Sequence, residues 1–237
     1  MQDIADLAYY RGLLLFANFS YNKQIRGVRN TVAFDTSNPN PSQQINQFLT
    51  AKLFNNAAED FTANIHLEKD IKKIKYKFEV GYNSSNFIQE IDNTIQTNKN
   101  RSYNYEVGLE TLFDNLPTID LGLNQDIGRF ISDNTTSKFL TTVPFVTLDY
   151  SFLDSFIFNY RKNIYENKDL EQKNIYEIAN TTLSYKKENS VWSFKITCQN
   201  LFNAQFKQSN RFTDYLISDT RTFILPRIIM FSIGYNL

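Results

Sequence analysis

The chain has 237 residues, with 25 Lys plus Arg balanced by 25 Asp plus Glu, 21 Phe and 14 Tyr, and only 7 Gly and 5 Pro. This excludes collagen-like and linker-like chains, and the zero net charge, with no basic stripe, gives no field for nucleic acid. The aromatic share favours long strands, because rings fit a pleated surface. No run of about 18 apolar residues exists, so no membrane-spanning helix is expected.

In chain order, Gly12 to Lys23 reads as a strand with Leu13, Leu15, Ala17, Phe19 and Tyr21 on one face and Asn18, Ser20 and Asn22 on the other. A short turn is expected over Gln24 to Gly27, then a shorter strand over Val28 to Asp35. Thr36 to Ser42, rich in Asn and Pro, reads as loop, and Gln43 to Glu59, which has no clean period, as its continuation. Next come Phe61, Ala63, Ile65 and Leu67, and after a turn near Asp70 to Lys73, Ile74, Tyr76, Phe78, Val80 and Tyr82, each set alternating with polar residues. Two such runs make a hairpin.

The polar segment Asn83 to Arg101 reads as a long loop before Tyr103, Tyr105, Val107 and Leu109; a turn at Asp114 to Pro117 leads to Ile119, Leu121, Leu123 and Ile127. A loop at Ser132 to Thr136 precedes the strand Phe139 to Phe152, where Pro144 suggests a bulge. After Leu153 to Ser155 come Phe156, Phe158 and Tyr160, then the loop Asn167 to Lys173, then a strand ending Ala179, Thr181, Leu183 and Tyr185. Beyond the turn Lys186 to Ser190 stand the two clearest strands. Trp192, Phe194, Ile196 and Cys198 form one apolar face, and Ile229, Phe231, Ile233, Tyr235 and Leu237 the other.

About eleven strands result. Short connections (near Arg26, Asp70, Asp114, Asp154 and Glu188) alternate with long ones (at Thr36, Ser84, Ser132, Asn167 and Asn203). Long strands with one greasy and one polar face, and turns short at one end only, predict an all-β fold: an antiparallel transmembrane β-barrel forming one domain over residues 1–237. The alternatives are a complete small barrel acting as a pore or structural protein, and a soluble β-sandwich with its oily faces packed together. Tyr103, Tyr150, Tyr160, Trp192 and Tyr235 are expected at the membrane interface or facing lipid.

An odd strand number conflicts with the even counts of single-chain bacterial barrels, so either a strand near Asn46 to Leu53 is unrecognised or the barrel continues upstream. The start, Met1-Gln-Asp-Ile-Ala-Asp, lacks the basic residues of a signal peptide, which also points to a fragment.

No catalytic constellation, cofactor motif or metal set stands out, and no enzyme activity is expected. The single histidine, His66, lies on a polar face with no nucleophile motif and reads as structural; the single cysteine, Cys198, reads as an apolar filler. Glu90 and Asp92 offer a conceivable cation site, though solvated loop charge is the ordinary reading. Ligand contacts are expected from the loops Thr36 to Glu59, Ser84 to Arg101 and Asn203 to Asp219, without individual residues named.

The element Gln199-Asn-Leu-Phe-Asn203, the later Leu225-Pro-Arg227 and the ending Gly234-Tyr-Asn-Leu237 resemble the carboxyl-terminal region of TonB-dependent outer-membrane receptors of the Bacteroidetes type. Ile25 to Asp35 is similar to a mid-barrel hairpin of that family. The resemblance implies the second half of a barrel of about 22 strands in the bacterial outer membrane. It implies nutrient import, with outer-membrane lipid and the barrel insertion machinery as partners. An energy-coupling partner would act only through a plug domain, and this sequence shows no plug. The final Leu237 departs from the commoner Phe or Tyr.

Overall fold

The computed structural model describes residues 2–10, 12–35, 46–133, 135–168, 173–212 and 217–236. The chain is all-β. Among the described residues thirteen strands run in order: β1 (Gln2–Tyr10), β2 (Leu13–Asp35), β3 (Asn46–Ile71), β4 (Ile74–Ile91), β5 (Thr94–Thr111), β6 (Thr118–Ser132), β7 (Thr135–Phe152), β8 (Phe156–Lys168), β9 (Lys173–Lys186), β10 (Trp192–Gln199), β11 (Phe206–Phe212), β12 (Ile217–Phe223) and β13 (Ile228–Tyr235). Eleven form one sheet in the order β1 to β10 and then β13, each antiparallel to its neighbours, while β11 and β12 form a separate hairpin. The sheet is not closed: among the described residues, β1 pairs only with β2 and β13 only with β10.

The expected count of eleven is met, but by different strands. The turn expected at Gln24 to Gly27 is a bulge, so the two segments on either side are one continuous β2. The nine residues of β1, unrecognised in the sequence, supply the missing member. The turn after β1 closes at Gly12, whose φ of +71° favours a residue without a side chain. Residues 46–59, expected as loop, are the first half of β3, and Asn83 to Arg101 is the upper part of a hairpin that turns at Asp92-Asn93. Both turn residues have positive φ, as a two-residue I′ turn requires. Polar sequence there marks wet strands, because ladder hydrogen bonds depend on the backbone and not on side-chain polarity.

Within the expected loop at Ser132 to Thr136, Ser132 pairs with Thr135 and Thr136 with Ile131 as strand residues of β6 and β7, and residue 134 lies outside the described set. Pro144 causes no register shift. Pairing of β7 with β8 lapses between Thr142↔Glu166 and Phe145↔Asn163 and resumes in phase, as expected where a residue has no N–H to give.

Register places the apolar positions opposite one another across the whole sheet. Leu15, Leu67, Phe78, Val107 and Leu123 form one continuous row, and Leu148, Tyr160, Thr181, Cys198 and Ile229 another. Side chains alternate, so the other face carries Asn64, His66, Glu79, Asn104, Glu106, Asn124 and Asp126. On that face Gly122 and Gly128 stand opposite Phe145 and Phe139. A Cβ on Gly128 would lie 1.8 Å from the Phe139 ring, so these positions have to be bare for the rings to lie across β6.

The lower turns are tied sideways: Asp70 N donates to Gly12 O, Leu112 N to Lys73 O, Lys186 N to Ser155 O and Asn236 N to Val191 O, at 2.8 to 3.0 Å. Beside them, the Lys73 ammonium bonds to Asp114 at 2.7 Å and holds that carboxyl below its ordinary range.

Among the described residues, no second layer covers the apolar face. Phe231 is 60% exposed to the surroundings of the chain, Ile233 58% and Phe78 43%. The few buried apolar residues, among them Val32, Phe54, Ala57, Ala58, Phe87 and Phe130, gather at the upper end instead.

Candidate functional site

Among the described residues, chemistry-bearing side chains of several strands converge on the polar face. At mid-height, β3 and β4 place the His66 ring between two carboxylates, Nε2 at 3.1 Å from Glu68 and Nδ1 at 3.3 Å from Glu79. With both nitrogens facing carboxylates, neither is directed at a hydroxyl it could activate. One rung away, Lys77 pairs with Glu110 at 2.6 Å and Asp120 at 3.3 Å, and Lys75 lies 3.9 Å from Glu68. These charges come from β3, β4, β5 and β6 at matched register. The result is a lattice of alternating charge suited to facing water. Through Glu79, the His66 ring links β3 to β4.

At the upper end the sheet gains a partial second layer. Pairing of β3 with β4 stops at Ala58↔Phe87. Above that level the β2–β3 ribbon, here called the arm, leaves the sheet plane, and β2 meets β4 again through one parallel bridge, Val32↔Ile91. The Arg29 guanidinium stands 4.6 Å from the centre of the Phe87 ring, which is on the polar face. Phe130 and Ala58 complete the cluster, and the neighbouring amides Gln89 and Asn98 are joined by a 3.1 Å hydrogen bond.

Beside the bend lies a cavity of about 280 Å³ lined by Lys23, Asn56, Glu59, Asn86, Phe87 and Thr97. Lys23 and Glu59 pair across it at 2.7 Å, which raises the lysine above its ordinary value.

A wider hollow of about 570 Å³ sits where β9 meets the Asn-Leu-Phe-Asn element, lined by Tyr176, Glu177, Phe202, Asn203, Gln205 and Phe206 among others. Two of its lining residues share Lys162 as a partner, whose ammonium lies 2.8 Å from Glu177 and 4.7 Å from the centre of the Phe202 ring. Tyr176 stacks on Tyr165 at 4.8 Å, and its burial pushes the phenol above its ordinary value.

The element itself is a turn run by two asparagines in the left-handed region, Asn200 at φ +51° and Asn203 at +57°. The Asn200 amide donates to Ala204 O and Leu225 O at 2.9 Å and accepts from Ala204 N at 2.8 Å. Asn203 Oδ1 accepts from Arg227 N at 3.0 Å. Both feet of the last upper excursion are thereby pinned together. Asparagine suits both roles, since it tolerates αL and carries a donor and an acceptor.

The candidate cation ligands are committed to protein partners. Glu90 pairs with Lys52, and Asp92 Oδ1 accepts from Phe34 N at 2.8 Å. Cys198 is buried on the apolar face. Of the three loops expected to bind ligand, residues 36–45 and 213–216 lie outside the described set; the rest are strands apart from the Asp92-Asn93 turn and the non-strand stretch Asn203 to Gln205. The arm's contacts went unrecognised because residues 46–59 carry no simple period. Their apolar content, Phe48, Leu49, Leu53 and Phe54, was the available signal.

A scan against models of known protein families and a search of curated proteins find no match to this chain.

Proposed function

We propose that this chain is the carboxyl-terminal part of the barrel of an outer-membrane transport receptor, with its apolar face against lipid and its polar face lining a watery lumen. The observation that carries the reading is the uncovered apolar face. A compact soluble monomer of 27.8 kDa exposes about 11,000 Å² by the usual size scaling, whereas this chain exposes 16235 Å². Each large apolar side chain left in water forgoes about 2 kcal/mol, and more than ten project from this one face. A hydrocarbon surround removes that cost without a second protein layer.

The geometry supports the same reading. The apolar stretch of β4, Ile74 to Tyr82, covers nine residues, the length a tilted strand needs to cross a bilayer. Trp192 and Tyr235, paired at the lower end with ring centres 4.7 Å apart, suit an interface girdle. The receptor identity rests on the Asn-Leu-Phe-Asn element and the terminal strand pattern. In this reading the chain serves transport rather than catalysis, and import requires the parent protein's plug.

The test is thiol accessibility in liposomes on a Cys198→Ser background. Phe231→Cys and Phe78→Cys are expected to resist a water-soluble maleimide and to react with a lipid-phase reagent. Thr62→Cys and Thr197→Cys are expected to do the reverse. Rapid aqueous labelling at Phe231→Cys, in protein that stays soluble without detergent, overturns the proposal.

A further inference from the structure

We propose that the β2–β3 arm is a latched flap, hinged at Gln24–Arg26 and Asn56, whose closed position seals Phe87, Gln89 and Asn98 of the polar face from water. The two halves of the hinge face each other. On β2 the register slips between Gln24 and Arg26; on β3, Asn56 takes φ +55° next to Asn55, the partner of Arg26. A ribbon with both strands irregular at one level bends there most readily. Below the hinge, β3 is zipped to β4; above it, among the described residues, the arm has no antiparallel partner in the wall.

What holds the arm down is a small set of contacts to the tip of the β4–β5 hairpin. Asp92 N donates to Val32 O at 2.8 Å, Phe34 N donates to Asp92 Oδ1 at 2.8 Å, and Lys52 pairs with Glu90. Asp92 therefore both donates to and accepts from the same arm strand. The Asp92 carboxylate bond and the Lys52 end of the ion pair are exposed to water, where such contacts are weak. The arm adds Val32, which is 1% exposed, and the Arg29–Phe87 stack.

Closure has a cost that points to an open state. Asn98 is 1% exposed, and its side-chain oxygen has no hydrogen-bond partner, although its nitrogen bonds to Gln89. A buried acceptor left without a donor penalises the closed form, and water relieves the penalty once the arm lifts. Opening uncovers the Phe87 ring beside two amides. In the transport reading this surface would stand at the outer mouth, but the hinge and latch do not depend on that reading.

The experiment measures aqueous maleimide labelling of Asn98→Cys, on a Cys198→Ser background in detergent, with and without latch substitutions. Glu90→Gln removes the ion pair; Asp92→Gly removes the carboxylate yet keeps a residue at ease with the turn's φ of +47°. Labelling slower than at exposed Thr94→Cys is expected with the latch intact. It should accelerate about 1.5- to 5-fold with Glu90→Gln alone and at least tenfold with both changes, at unchanged β content. As a second readout free of the added cysteine, the Phe34 and Asp92 amides should exchange faster in Glu90→Gln than in the parent. Equal labelling rates with and without the latch overturn the flap, as does labelling of the intact protein as fast as Thr94→Cys. Neither readout involves lipid partition or transport, so the flap can fail while the membrane reading stands, and the reverse.

Discussion

Asn200 shows how much one side chain can organise. It is 4% exposed, and its amide makes three hydrogen bonds to backbone groups of Ala204 and Leu225, while its own N–H donates to Asn180 Oδ1 at 3.0 Å. Asn200→Ala leaves those groups short of partners and puts a Cβ into the left-handed region, so a loss of about 2–3 kcal/mol is expected. Asn200→Gly relieves the backbone but not the bonds and should be nearly as damaging. Urea unfolding in micelles checks the pair; a Gly variant as stable as the parent would show that backbone conformation alone matters. Asn-Leu-Phe-Asn was visible as a motif. Its physical role was not, because Leu225 is 25 residues from Asn200 and only folding brings them together.

At the scale of the strand, faces decide what a substitution does. On β13, Met230 stands opposite Thr197 on the polar face and Phe231 opposite Ile196 on the apolar one. Hydropathy alone ranks both as apolar; register separates them. Phe231→Arg is expected to cost about 2–4 kcal/mol in a bilayer and Met230→Arg close to nothing. Folding titrations into liposomes measure both, and equal costs would mean that the two faces meet the same medium. The same period made most strands legible, since alternation is a local property. It failed wherever polar residues continue a strand above the greasy band, as in Asn83 to Arg101, and wherever a bulge changes phase, as at Gln24 to Arg26.

Across the whole molecule, direction adds a constraint. With eleven strands in antiparallel order, β1 and β13 run the same way. Joining them directly would create one parallel seam in an otherwise antiparallel wall. An odd number of further strands between them restores the alternation, and eleven more would make 22. Under the proposed reading, this chain alone should give no discrete conductance in planar bilayers. A stable single-channel step from the isolated chain would instead select the complete small barrel.

The sequence by itself determined that the chain is all-β, which side of most strands is greasy, and where four of the lower turns fall, near Asp70, Asp114, Asp154 and Glu188, because these depend on neighbours one to four residues apart. Only the tertiary structure decided that β1 exists, that the arm leaves the wall, that Glu90 and Asp92 are latch contacts for it, and that the apolar face goes uncovered. Those outcomes arise from pairings between distant residues, such as Val32 with Ile91 and Lys52 with Glu90, whose energies have no trace in local periodicity.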